Sequence, residues 1–291
     1  MQNFIGKTAV VTGGASGIGR AMADRFAREG MRIVLADIEQ SALDRAVDEM
    51  RTAGAEVIGV KTDVADCGQV EALAARTVEA FGGVHILCNN AGVASDGATS
   101  WQQSAKDWQW VMGVNLWSVI HGIRTFVPLM LEQNDEGHIV NTASLAGLFA
   151  MPMAAPYHVT KFGVVALSES LFYEFATIGA KLGVSVLCPA WVKTRILESS
   201  RNRPAELRNE GASGPDAGLM AAFQKRIEEQ GLEPSYIAER VFDAVRDNQL
   251  YILTHPEFKD SLRWRMENIL NDRNPTLSGA LGGMAKDMKT S

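Results

Sequence analysis

Dense runs of positive charge, membrane-length apolar runs and paired cysteines are all scarce in this chain. Its 28 Lys and Arg residues are outnumbered by 34 Asp and Glu, leaving a net charge of -6. Without clustered cations to neutralise phosphates, a nucleic-acid partner is not expected. No apolar run approaches the roughly 20 residues that span a bilayer. The opening M-Q-N-F-I-G-K-T-A-V-V-T-G-G enters a strand with no signal peptide, so the expected location is cytoplasmic, away from membranes. The three cysteines, Cys67, Cys88 and Cys188, are isolated and odd in number. They suit neither a disulfide framework nor a zinc site, and Cys88 and Cys188 lie in apolar runs as small hydrophobes. Five scattered histidines form no H-x-x-H or H-E-x-x-H pair, so no metal is expected. Neither Ser16 nor Ser144 lies in G-x-S-x-G, the elbow that a serine hydrolase requires.

What is present is a composition able to bury a core, with 46% hydrophobic and 21% charged residues over 291 positions. Strand-like runs at 8–11, 32–36, 56–60, 85–89, 137–142, 184–188 and 250–254 alternate with segments long enough for crossover helices. That alternation predicts an α/β fold, a doubly wound, Rossmann-like parallel sheet covered on both faces. One catalytic domain is expected over 1–255. Within it, 195–232 is polar and broken, a length without a strand that suits a lid over substrate. Residues 256–291 form a C-terminal extension, where Phe258, Leu262, Trp264, Met266, Ile269 and Leu270 permit an amphipathic helix. Beyond about 274 the tail is expected to be mobile.

Three stretches carry chemistry. T-G-G-A-S-G-I-G, residues 12–19, stands between the first strand and a helix, where glycines allow a tight turn and close approach of backbone N–H groups to a pyrophosphate. Asp37 ends the second strand about twenty residues on, where a carboxylate can bond both ribose hydroxyls of NAD and repel a 2′-phosphate. A helix N-cap is its alternative role. Tyr157 and Lys161 are four apart, so on a helix started by Pro156 they leave one face, one turn from each other. A phenol of reference pKa about 10 is a poor base near neutrality. An ammonium one turn away is expected to lower it, and Ser144, just past the strand at 137–142, can orient an alcohol or carbonyl oxygen beside it. Asn115, inside the helical pattern 107–132, is an amide where helices disfavour one.

Taken jointly, these residues and N-N-A-G at 89–92 resemble the short-chain dehydrogenase/reductase family over about residues 5 to 255. The resemblance implies hydride transfer between NAD and a secondary alcohol or ketone. Its catalytic set would be Asn115, Ser144, Tyr157 and Lys161, with Asn115 holding a water that links the lysine to solvent. The cofactor would be held by Gly13, Ser16, Gly17, Ile18, Gly19, Asp37, Asp63, Val64, Asn90, Ala91, Gly92, Tyr157, Lys161, Pro189, Val192 and Thr194. Ala190 stands where the family usually has Gly. The helix at 107–132 and the one following Lys161 would pair with a second subunit, giving a dimer or homotetramer. Met151, Met153, Trp191, Ile196 and Leu197 suggest a roomy apolar substrate pocket. R-I-L-E-S-S-R-N-R-P at 195–204 and L-Y-I-L-T-H at 250–255 resemble the Cα-dehydrogenases that oxidise lignin-derived β-aryl ethers. Aryl alcohols or ketones are therefore the first expectation and steroid-type ring alcohols the second. A nucleotide-sensing or scaffold protein without catalysis is the alternative, and it would need only the glycine loop and Asp37.

Overall fold

In the computed structural model, which describes residues 1–95, 97–210 and 217–276, strand β1 spans Thr8–Thr12 and all five residues are buried. A strand covered on both faces has no polar side to show, which is why T-A-V-V-T lacks the usual alternation. It is joined by β2 (Arg32–Asp37), β3 (Val57–Lys61), β4 (Ile86–Asn89), β5 (Gly137–Thr142), β6 (Leu182–Cys188) and β7 (Tyr251–Leu253). Every pairing is parallel, in the order β3-β2-β1-β4-β5-β6-β7. The chain moves outward from β1 to β3 and then returns to lay β4 on the other side of β1. The crevice above that reversal is where open α/β sheets bind ligands.

Two apolar layers cover the sheet. On one face α1 (Gly17–Arg28), α2 (Gln40–Thr52) and α8 (Pro234–Asp247) bury Met22, Phe26, Leu43, Met50, Ile237 and Val241. The opposite face is covered by α3 (Cys67–Phe81), α5 (Ser118–Gln133) and α6 (Ala155–Ile178), which bury Leu73, Phe126, Met130, Leu171 and Phe175. Asp66 caps α3 by accepting from the Gly68 and Gln69 amides, as a short carboxylate does at a helix start.

The expected helix at 107–132 is two helices and a bulge. After α4 (Ala105–Met112), Gly113–Trp117 form one π-helical turn holding Asn115, and α5 follows. The stretch Ala105–Gln133 is also long and apolar enough to pass as a membrane span by composition, contrary to the sequence expectation. In the fold, its α5 part packs on α3 and β4 instead.

After β6 the chain runs through two 3₁₀ segments, Ile196–Asn202 and Ala205–Leu207, and later forms α7 (Ala217–Gln230). Beyond β7, a short turn at Pro256–Phe258 leads into α9 (Lys259–Leu270). Its amphipathic pattern is only partly used. Phe258 is buried, Leu262 and Trp264 are half-buried, and Met266, Ile269 and Leu270 are exposed. The mobility expected near the C-terminus concerns residues that, past Thr276, lie outside the described ones.

Candidate active site

The turn between β1 and α1 places Gly13 at φ 63° and Gly17 at φ 56°, left-handed conformations that glycine adopts without steric cost. Ser16 is the N-cap of α1 but its side chain caps nothing, so the first-turn amides remain for an anion, with the helix dipole favouring negative charge. Gly19 is a packing glycine: a Cβ there would lie 2.2 Å from the Gly13 carbonyl oxygen. Thr12 ties the strand ends together. Its hydroxyl accepts from the amides of Asn90 (2.9 Å) and Ala91 (3.1 Å), and the Asn90 carboxamide donates to the Thr12 carbonyl at 3.0 Å.

Asp37 does not cap α2, whose N-cap is Glu39. Its carboxylate accepts from the amides of Ala15 (3.1 Å) and Glu39 (3.0 Å) beside the glycine turn. Burial pushes this carboxyl up, with the amide hydrogen bonds acting against it. Two glycines at positive φ, an uncapped helix N-terminus and a half-buried carboxylate at the end of β2 fit the pyrophosphate and adenosine ribose of a dinucleotide.

The other end of the cleft is built on β5 and α6. Ser144 follows β5, donates to the Pro189 carbonyl at 3.2 Å and accepts the Ala146 amide at 3.1 Å. Pro156 lies in the first turn of α6, and Tyr157 and Lys161 project one turn apart. Lys161 is buried, its Nζ donating to the Thr142 carbonyl at 2.9 Å and lying 5.5 Å from the Tyr157 ring centroid. Burial pushes the ammonium down to about 8. The phenol moves opposite to the expected direction: burial pushes it up, and the neighbouring Ser144 hydroxyl lowers it. Desolvation thus outweighs the hydrogen bond with Ser144 in this geometry.

One cavity of about 370 Å³ joins both ends. Gly13, Ser16, Gly17, Ile18, Asp37, Asp63, Val64, Asn90, Ala91, Gly92, Ser144, Tyr157, Lys161, Pro189, Val192 and Thr194 all line it. Gly19 and Asn115 do not. Asn115 is buried in the π turn, where its carboxamide accepts from the Val93 amide (2.8 Å) and donates to the Val93 carbonyl (2.9 Å). It lies behind Gly92, whose added Cβ would stand 3.4 Å from the Asn115 oxygen and 3.7 Å from Lys161 Nζ. Of the apolar residues expected around substrate, Met151, Trp191, Ile196 and Leu197 are in the wall. Met153 is absent from it, occupying a left-handed turn at φ 70° ahead of α6.

The rest of the wall was not foreseen. Phe149 stacks on Phe258 at 6.2 Å between centroids, and Trp191 packs against Phe223 of α7 at 5.5 Å. The segment 196–209 is fastened over the cleft at several points. Arg201 (2.5 Å) and Asn202 (2.8 Å) bond Glu39, and the Ser199 hydroxyl accepts the Ala94 amide at 3.0 Å. Arg203 (2.6 Å) and Asn209 (2.9 Å) bond Asp107 at the start of α4. His255 holds the Ala190–Trp191 backbone by accepting the Ala190 amide (3.2 Å) on Nδ1 and donating to the Trp191 carbonyl (3.1 Å) from Nε2. Every pair but Trp191–Phe223 spans more than 60 residues of sequence, and no local motif signals any of them.

Comparison with known proteins agrees with this geometry. The family model for short chain dehydrogenase matches residues 7–205. A C alpha-dehydrogenase from a Sphingobium strain is 36% identical over 284 residues, 97% of this chain and 91% of its own length. A dehydrogenase/reductase of CLA biosynthesis from Lactiplantibacillus plantarum is 33% identical over 278 residues, covering 94% and 97% of the two chains. Among solved structures, a short chain dehydrogenase/reductase from Burkholderia phymatum in complex with NAD superposes with a TM-score of 0.92. It is 47% identical to this chain, and the match covers 95% of this chain and 98% of that one.

Proposed function

The chain belongs to the short chain dehydrogenase family, and from that premise we propose that it is an NAD-dependent oxidoreductase interconverting a bulky secondary alcohol and its ketone. The observation that carries this proposal is the single cavity running from the glycine turn and Asp37 to Ser144, Tyr157 and Lys161. NAD supplies the two-electron acceptor when bound. The α1 N-terminus with Gly13, Ser16, Gly17 and Ile18 would take its pyrophosphate, and Asp37 its adenosine ribose. Asp63, Val64, Asn90, Ala91, Gly92, Pro189, Val192 and Thr194 would line its path toward Tyr157.

Tyr157 takes the proton of the substrate hydroxyl, and Ser144 orients the substrate oxygen beside it. Lys161, held by the Thr142 carbonyl, keeps a positive charge next to the phenol and would hold the nicotinamide ribose of bound NAD. Asn115 shapes the π turn behind Gly92 and supports the relay that carries the proton from Lys161 to solvent. The ammonium is fully present below about pH 8 and is lost as pH rises through it. The phenol must be deprotonated to take the proton, so oxidation rates should rise with pH up to about 8 and level off above it, where growth of the phenolate is offset by loss of the ammonium. A Lys161→Arg variant, always charged, should keep rising past that pH.

Residues 195–232, of which 211–216 lie outside the described residues, act as the lid and 1–255 as the catalytic unit, with 256–291 as an extension whose described part, 256–276, brings Phe258 to the substrate wall. The aromatic pairs Phe149–Phe258 and Trp191–Phe223 favour aryl substrates, with a β-aryl ether Cα-alcohol first and a steroid-type alcohol second. Exposed Trp117 on the π turn and Tyr173 and Ile178 on α6 support a homotetramer or dimer built on these helices.

The test is NADH formation from NAD with 1-phenylethanol, a β-aryl ether Cα-alcohol and a 3β-hydroxysteroid. Turnover of the aryl alcohols above the steroid is expected. Silence on all three would overturn the substrate assignment, and a scaffold role would then be favoured.

A further inference from the structure

His158 stands between Tyr157 and Lys161 in P-Y-H-V-T-K, and no step described above uses it. About 100° further round α6 than Tyr157, its ring meets the loop that links Ser144 to Met151. Its Nδ1 lies 2.8 Å from the Ala146 carbonyl oxygen and its Nε2 accepts the Met151 amide at 3.1 Å. These partners fix the ring's state. An amide can only donate and a carbonyl can only accept, so Nδ1 carries the proton and Nε2 carries the lone pair. Both nitrogens are thereby occupied, which excludes His158 as the proton acceptor of the reaction.

The loop it grips leads directly to the Ser144 hydroxyl. Ala146 presents its carbonyl to His158 and its amide to Ser144 Oγ at 3.1 Å, so one peptide segment links the ring to the hydroxyl. Met151, at the far end, lines the cavity, as does Phe149 between them. There is little slack elsewhere: a Cβ on Gly147 would come within 2.5 Å of the Lys161 carbonyl oxygen. The imidazole therefore bolts the two ends of a six-residue span onto the helix that carries the phenol and the ammonium.

We propose that His158 is a positioning residue that sets Ser144 and the Phe149–Met151 wall relative to Tyr157. The proposal rests on Ser144, Tyr157 and Lys161 being the catalytic group. His158 is buried, and burial holds its pKa below the ordinary value, preserving the neutral ring that this pair of hydrogen bonds requires. Removing it would leave the Ala146 carbonyl and the Met151 amide without their ring partners, and losses of this kind correspond to about 10- to 100-fold in rate.

The experiment compares His158→Leu, which keeps bulk without hydrogen bonds, with His158→Gln, whose amide offers one donor and one acceptor. Each is made alone and with Ser144→Ala, and NAD with 1-phenylethanol is the probe. His158→Leu should lower kcat about 10- to 100-fold with NADH affinity unchanged, and His158→Gln should recover much of the loss. In the Ser144→Ala background, His158→Leu should cost no more than about twofold, because the two residues act as one unit. Amide hydrogen exchange at Met151 should rise in the Leu variant and stay protected in the Gln variant, whether or not the probe alcohol is turned over. If His158→Leu does not fold, His158→Ala takes its place in the same comparisons. Unchanged exchange at Met151, or an undiminished penalty on top of Ser144→Ala, would overturn the proposal. An active Tyr157→Phe control would instead sink the catalytic assignment on which it rests.

Discussion

The two ends of the cleft are held by different means. At the nucleotide end, between β1, β2 and β4, backbone geometry makes the site: glycine at positive φ, an open helix N-terminus, and Thr12 bonded to the Asn90 and Ala91 amides. Over the cleft, from its nucleotide rim to the substrate end, side chains far apart in sequence hold irregular backbone in place. Glu39 meets Arg201, Asp107 meets Arg203, and Phe149 meets Phe258. A surface made of main chain admits one shape of ligand with little freedom to vary. A wall assembled from exchangeable side chains can change its ligand without loss of the fold.

That contrast predicts intolerance to size at one end and tolerance at the other. The largest effect should follow Gly19→Ala, because the new methyl would enter the space of the Gly13 carbonyl. Overpacking of this kind corresponds to about 10- to 100-fold weaker NADH binding, measured by fluorescence titration. Wild-type affinity in that variant would break the comparison.

Asp107→Asn should come next, read by denaturant unfolding. It removes the carboxylate charge from the buried pair with Arg203 and weakens the hydrogen bonds made to it, a loss of about 1–3 kcal/mol. Burial raises the Asp107 carboxyl, but the hydrogen bonds from Arg203 and Ser104 outweigh it and hold the pKa below the usual value. The sign follows from linkage. The contribution is present above the ordinary aspartate pKa and lost as pH falls through the depressed one, so the variant should show a weaker acid destabilisation than the parent.

Phe258→Ala should change substrate preference more than stability, raising KM for aryl alcohols by about tenfold with NADH affinity unaltered. An equal change for aryl and non-aryl alcohols would argue that the aromatic wall does not recognise rings. Glu39→Gln should do least. Its pair with Arg201 is partly solvated, and such contacts contribute about 0–1 kcal/mol. A destabilisation as large as that of Asp107→Asn would show that the two fastenings are equivalent after all.

The same contrast explains what the sequence reveals. The strands and their alternation with crossover helices were legible because burial on both faces leaves continuous apolar runs, as in T-A-V-V-T and R-I-V-L-A-D. The places of Gly13, Gly17 and Asp37 beside the cleft were legible because they follow from local spacing from a strand end. The π turn at Gly113–Trp117 was not, since its hydrogen bonds shift by one residue without any change of composition; the misfit amide of Asn115 was its trace. The direction of the Tyr157 shift was also out of reach, because it depends on how deeply the phenol is buried rather than on its spacing from Lys161. Phe223, Phe258 and His158 join the wall through tertiary contacts, and no motif around any of them announces it.

The central claim is that a phenol beside a buried lysine handles the substrate proton in a cleft shared with NAD. Its most direct test is Tyr157→Phe, assayed for NADH formation with NAD and the aryl alcohol that the parent turns over fastest, with NADH binding titrated in parallel. Loss of general acid–base assistance should lower kcat by about 10²- to 10⁴-fold while binding stays within about threefold of the parent. Turnover at the parent's rate would contradict the claim.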